Sequence, residues 1–173
     1  MKDSISIANY FIDKSVSENG DLTLLKLVKL VYIAHGFLLT TLKQSFLNPK
    51  YDRVEAWRFG PVIPNVYHTF KYNAGNVIKE KGIICEDAKS LRFVCPKVLD
   101  EEKPVLDFVW KRYGGMKPST LVDLLHKEGT PWRLHYKPNE NVEIPDFDTH
   151  VYYTALFNAL VNYGNISTSR GIG

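Results

Sequence analysis

The sequence predicts a mainly α fold of the α+β kind, one helical domain carrying a small β-hairpin or short antiparallel sheet. Apolar residues recur at helical spacing in several segments, each bounded by breakers such as Asn19-Gly20, Gly60-Pro61 and Gly114-Gly115. Only short stretches alternate as strands do. A length of 173 residues suits one core. Residues 1–166 are expected to form that domain, with 167–173 as a flexible tail.

Ala8, Phe11 and Ile12 share a helical face, and Asp3 or Ser4 supplies an N-cap oxygen for the orphan N–H groups. From Leu22 to Leu42 runs the strongest pattern. Leu24, Leu27, Val28, Val31, Leu38 and Leu42 make one stripe, His35 joins it, and Lys26, Lys29 and Lys43 fall off it. Leu25, Tyr32 and Ile33 add apolar surface on other sides, which implies burial on more than one face. Trp57 and Phe59, two apart, fit one side of a strand that Gly60-Pro61 is expected to end. Pro64 opens a helix through Val66, Tyr67 and Phe70, closed by residues 73–75.

Residues 83–85 and 90–94 read as hairpin strands joined by residues 86–89. Asp100, Glu101 and Glu102 favour a helix start, followed by Val105, Leu106, Val109, Trp110 and Tyr113. Leu121, Leu124 and Leu125 define a short helix after Pro118, which Gly129 to Pro131 ends. A last helix starts at Pro145 or Asp146 and is expected to stop at Gly164.

Composition removes several classes. The net charge of +3 divides with little asymmetry, whereas nucleic-acid surfaces need clustered basicity. Cys85 and Cys95 are too few for a disulfide scaffold and read as reduced, buried structural thiols. Leu30 to Leu42, broken by His35 and two threonines, is shorter than the roughly 18 residues of a membrane span. No basic start precedes an apolar run, so a cytoplasmic location is expected, with no membrane partner.

The chemistry-bearing motifs are missing. No two of the five histidines stand at H-x-x-x-H spacing. His126-Lys127-Glu128 has the H-x-E order of zinc deaminases without the P-C-x-x-C that completes them. Neither a nucleophile elbow nor a phosphate-binding glycine loop occurs. A non-enzymatic protein without metal or cofactor is expected.

Lys26, Lys29, Tyr32 and His35 make a basic helix face with an aromatic, which fits either a solvated surface or a phosphate contact. His35, in the apolar row, fits a hydrogen-bonded core histidine. Trp57-Arg58-Phe59 and Trp132-Arg133 pair the residue types found at interface hot spots, though the tryptophans fit a core role too.

Three runs together resemble the Panacea domain family, also described as SocA-like or as phage-associated GepA-type proteins. Leu27 to Gly36 follows L-x-K-L-x-Y-x-A-x-G, and Val54 to Tyr67 contains AW-x-(aromatic)-GPV-x-P-x-(V/I)-Y. Leu121 to Trp132 is similar to L-x-x-L-x-H-x-E-x-PW, departing at Leu125, where Thr is common, and by one extra residue before Pro131. The resemblance implies an antitoxin that silences a cognate toxin by direct binding, with no catalytic residues to carry over. Its alternatives are an adaptor delivering the toxin to a ClpXP-type protease, or a DNA-binding autoregulator. The expected contact surface joins Lys26, Lys29 and Tyr32 to Trp57, Arg58, Phe59, Pro61 and Tyr67, with Trp132 nearby. A homodimer is left open.

Overall fold

The computed structural model describes residues 3–169, with side chains through residue 163. Helix α1 (Ser4–Ser17) starts where the Asp3 carboxylate accepts the Ile5 N–H at 2.8 Å. The Asp52 carboxylate accepts from the Ser4 N–H at 3.0 Å and the Ser4 hydroxyl at 2.7 Å, tying this start to a distant loop.

Helix α2 (Leu24–Leu42) is the axle of the fold, buried continuously from Lys26 to Leu39. By length and hydropathy it could cross a membrane, but 78% of its apolar window is covered by the protein itself, as a core helix requires. Helices α1, α3 (Pro64–Phe70), α4 (Lys103–Tyr113), α5 (Pro118–Leu125) and α7 (Asp146–Ser169) pack around it. Pro64 and Pro118 stand in the first turns of α3 and α5, where a missing N–H costs nothing.

Against α2 also lies an antiparallel sheet with the order β2–β1–β5, built from β1 (Glu55–Trp57), β2 (Gly60–Val62) and β5 (Val142–Glu143). Glu55 pairs with Val62 on one side and Glu143 on the other. Gly60-Pro61 does not end the structure after β1; it opens β2, and Arg58 and Phe59 alone form the turn. Proline is tolerated there because β2 is an edge strand and needs no ladder N–H at that position.

The hairpin of β3 (Ile84–Asp87) and β4 (Arg92–Val94) forms as the sequence suggests, with a register irregularity between Cys85 and Asp87. Cys85 and Cys95 are exposed, not buried. Cys85 lies opposite Phe93 on the uncovered face, while Ile84 and Val94 are the half-buried pair. Helix α5 already ends at Leu125, so residues 129–131 do not stop it but lead into the next helix. Thr130 caps a short helix α6 (Pro131–His135), accepting the Arg133 N–H at 3.3 Å and donating to the Leu125 carbonyl at 2.9 Å.

Helix α7 runs past Gly164 to Ser169, beyond its expected stop; of the expected tail, residues 170–173 lie outside the described residues. His35 is fully buried and its Nε2 meets the Asp146 carboxylate at 2.9 Å, which fastens the first turn of α7 to the axle. Further along, Tyr153 packs edge-on against Phe37 with ring centroids 5.1 Å apart.

Gly36 is what lets Tyr153 come so close, since a Cβ there would stand 2.2 Å from the ring. Gly36→Ala is expected to destabilise the protein by roughly 3 kcal/mol or more in urea unfolding, through overpacking. Gly115 has nothing within 4 Å of an added Cβ, so Gly115→Ala is the control, expected within about 0.5 kcal/mol of wild type. Equal effects from the two would contradict the packing described.

Candidate partner-binding groove

The three sequence runs singled out above meet at the β1–β2 hairpin. Lys29 from α2 is fully buried beneath it, donating from Nζ to the Pro61 carbonyl at 3.0 Å. His126, at the end of α5, stacks on Trp132 of α6 with ring centroids 3.6 Å apart and planes inclined by 2°. The Trp132 indole N–H in turn donates to the Trp57 carbonyl at 2.7 Å. A Cβ on Gly60 would lie 3.0 Å from Lys29 Nζ and 3.4 Å from His126 Nε2, so both groups press against that glycine. Gly60 also has φ +103°, a region open to glycine and strained for other residues.

Burial lowers the Lys29 amine to about 7, because a charged ammonium there has lost its water. Burial also lowers His126, and the neighbouring Lys29 amine lowers it further. Lys29 therefore serves as a strut that holds the hairpin from below.

The basic face expected on α2 is not a surface. Lys26 is 3% exposed and pairs with the Asp21 carboxylate at 2.7 Å. Tyr32 is 1% exposed, packed edge-on to Tyr153, and burial pushes its phenol upward. These side chains lie inward because α2 is covered on nearly every side, so leaving the apolar stripe does not mean reaching water. Pro61 is buried with its carbonyl occupied by Lys29, and Trp132 is 5% exposed; both support the hairpin, and neither can meet a partner directly.

What remains outside is the hairpin tip. Arg58 is exposed, Phe59 is 60% exposed, and the guanidinium stands 5.4 Å from the Phe59 ring centroid. Trp57 is half-buried and its ring meets Tyr67 edge-on at 4.9 Å. Its indole N–H donates to Glu55 at 2.7 Å, and the same carboxylate accepts from Arg53 Nε at 2.6 Å. Between this tip and the start of α2 lies a mostly apolar groove of about 180 Å³, lined by Leu24, Leu25, Val28, Trp57, Phe59 and Tyr67, together with Val62, Lys29 and Arg58.

Leu24, Leu25 and Val28 were not among the expected contact residues. Their one signal was Leu25, an apolar side chain off the main stripe. In a wider cleft of about 690 Å³, Asp146 is engaged with His35 and Asp52 with Ser4 and Asn48. Among the described residues, no three His, Cys, Asp or Glu side chains gather as a metal site would require.

Residues 27–133 match the family model described as Antitoxin SocA-like, Panacea domain. Antitoxin SocA of Caulobacter vibrioides (strain NA1000 / CB15N) is 31% identical over 131 residues, spanning 75% of this chain and 68% of that protein. No solved structure matches.

The strut makes stability depend on pH. The unfolded chain holds Lys29 near its ordinary 10.5 and the folded protein near 7, so between those values only the unfolded state keeps the proton. The cost of burying Lys29 is full below about pH 7 and fades as pH rises toward about 10. Lys29→Met is thus expected to be more stable than wild type at about pH 6, and to lose that advantage by about pH 10, where the bond to Pro61 is missed. Urea unfolding at the two pH values checks this, and a pH-independent difference would remove the strut's titration from the account.

Proposed function

The chain belongs to the SocA-like Panacea antitoxin family, and from that premise we propose that it neutralises a cognate toxin in the cytoplasm by binding it directly, without catalysis. The observation that carries this reading is the hairpin tip, an exposed Phe59 and Arg58 beside an apolar groove. Aromatic and arginine side chains next to an apolar pocket are the usual energetic centre of a protein interface.

The support under the tip favours the same reading. Lys29, His126 and Trp132 hold the β1–β2 hairpin by its carbonyls and its glycine, so little conformational entropy is lost when a partner docks on it. An interface centred there would bury on the order of 1,200–2,000 Å² in all, far more than the groove itself. The surrounding surface of α2's first turn and α3 would complete it.

Co-expression with the product of the neighbouring gene tests the proposal. Toxicity of that product alone, rescue by this chain, and co-purification of the two are expected. Rescue without a stable complex, dependent on a host protease, would replace neutralisation by binding with delivery for degradation. A neighbour that is not toxic would remove the premise that it is the cognate partner.

A further inference from the structure

We propose that the groove takes a single large apolar side chain of the toxin, and that Arg58 takes a carboxylate carried beside it on the same toxin segment. This rests on the reading of the chain as a toxin-binding protein and specifies what that binding recognises.

Size decides the first half. Small-molecule sites span about 300–1,000 Å³, and the groove, at about 180 Å³, is too small for one. It suits one Leu, Met, Phe or Trp side chain. Most of its lining is aliphatic or aromatic, and two of its four polar groups are occupied, the Trp57 indole N–H by Glu55 and the Lys29 amine by Pro61, which leaves the Tyr67 hydroxyl and Arg58. The groove therefore offers an occupant rings and methyl groups, which rewards an apolar anchor and penalises a polar one.

Charge decides the second half. The cations nearest in sequence to the hairpin and to Trp132 are matched: Arg53 with Glu55 at 2.6 Å and Arg133 with Glu128 at 2.9 Å. Arg58 has no carboxylate within ion-pairing distance among the described residues and stands over the Phe59 ring instead. A planar guanidinium on an aromatic face, with its donors free at the mouth of an apolar groove, is complementary to a carboxylate.

The two halves act on different rates, which is how they are told apart. A rim charge mainly governs association and its salt dependence, and a buried anchor mainly governs dissociation. With the co-expressed toxin purified as the probe, Arg58→Glu is expected to weaken binding about tenfold or more, chiefly by slower association, and to flatten its dependence on salt. Leu25→Asp, at a residue 38% exposed, puts a carboxylate in the groove mouth and is expected to weaken binding about a hundredfold, chiefly by faster dissociation. Reversing the matching toxin carboxylate to Lys should restore affinity to Arg58→Glu and to no other variant.

Thermal melts of both variants at wild-type temperature keep the test clear of misfolding. Wild-type affinity in both variants, with the complex intact, overturns the groove as the docking site and leaves neutralisation by binding standing. A dimer of free wild-type protein that Leu25→Asp dissociates, with toxin affinity unchanged, would assign the groove to a second copy of the chain and also overturn the proposal. If wild type forms no complex with the toxin, both the proposal and the reading beneath it fall.

Discussion

Burial of α2 on all sides is the constraint from which the other elements take their places. A helix with apolar residues around its whole circumference has to be covered around its whole circumference, and α1, α3, α4, α5, α7 and β2 each take one portion. The covering is directed by the few polar groups that the axle carries inward. Lys29 accepts only an arrangement that brings a carbonyl to its amine, which fixes β2. His35 requires a partner for Nε2, which fixes the first turn of α7 through Asp146. Apolar packing alone would tolerate many rotations of these elements about α2, and the buried polar bonds select one.

That selection carries a thermodynamic cost which shows where rigidity is placed. A buried lysine with a single carbonyl acceptor is a poor stabiliser, since an apolar residue of similar volume would avoid the desolvation altogether. The gain is positional. Lys29 and Trp132 each grip a backbone carbonyl of the β1–β2 hairpin, at Pro61 and Trp57, and Gly60 lets Lys29 and His126 approach between those points. The turn residues Arg58 and Phe59 are therefore displayed on a short loop whose both ends are clamped.

The helices were legible because periodicity and caps are local. Asp3 before Ile5, Pro64, Pro118 and the acidic residues before Lys103 each mark a start that depends only on near neighbours. Strand β5, 2 residues long, is defined by its distant partner β1, and helix α6, 5 residues long, is too short to show a period although Thr130 and Pro131 mark its start. The exposed cysteines were misread because burial statistics for cysteine say nothing about which face of an isolated hairpin is covered. The site divided in the same way. Trp57, Arg58 and Phe59 stood out by composition, whereas the groove needs Leu24, Leu25 and Val28, roughly 30 residues earlier, and sequence spacing cannot bring them together. Lys26, Lys29 and Tyr32 were placed on a surface by a one-stripe reading of a helix that has no solvent-facing side along its middle.

Sorting the residues of the three matching runs by where they point separates holding from binding. Lys29, Gly60, Pro61 and Trp132 lie inside, with half-buried His126 stacked against them. Each of these does something that depends only on the chain itself: a strut, a close approach, an edge-strand proline, a stacked clamp. Arg58 and Phe59, with Leu25 just before the first run, do the opposite, since their exposed atoms gain little from the folded monomer. The inner set thus accounts for how the hairpin is held. On the proposed reading, the partner is recognised by the outer set and the surface around it, where a substitution changes the partner's contacts and leaves the clamp intact.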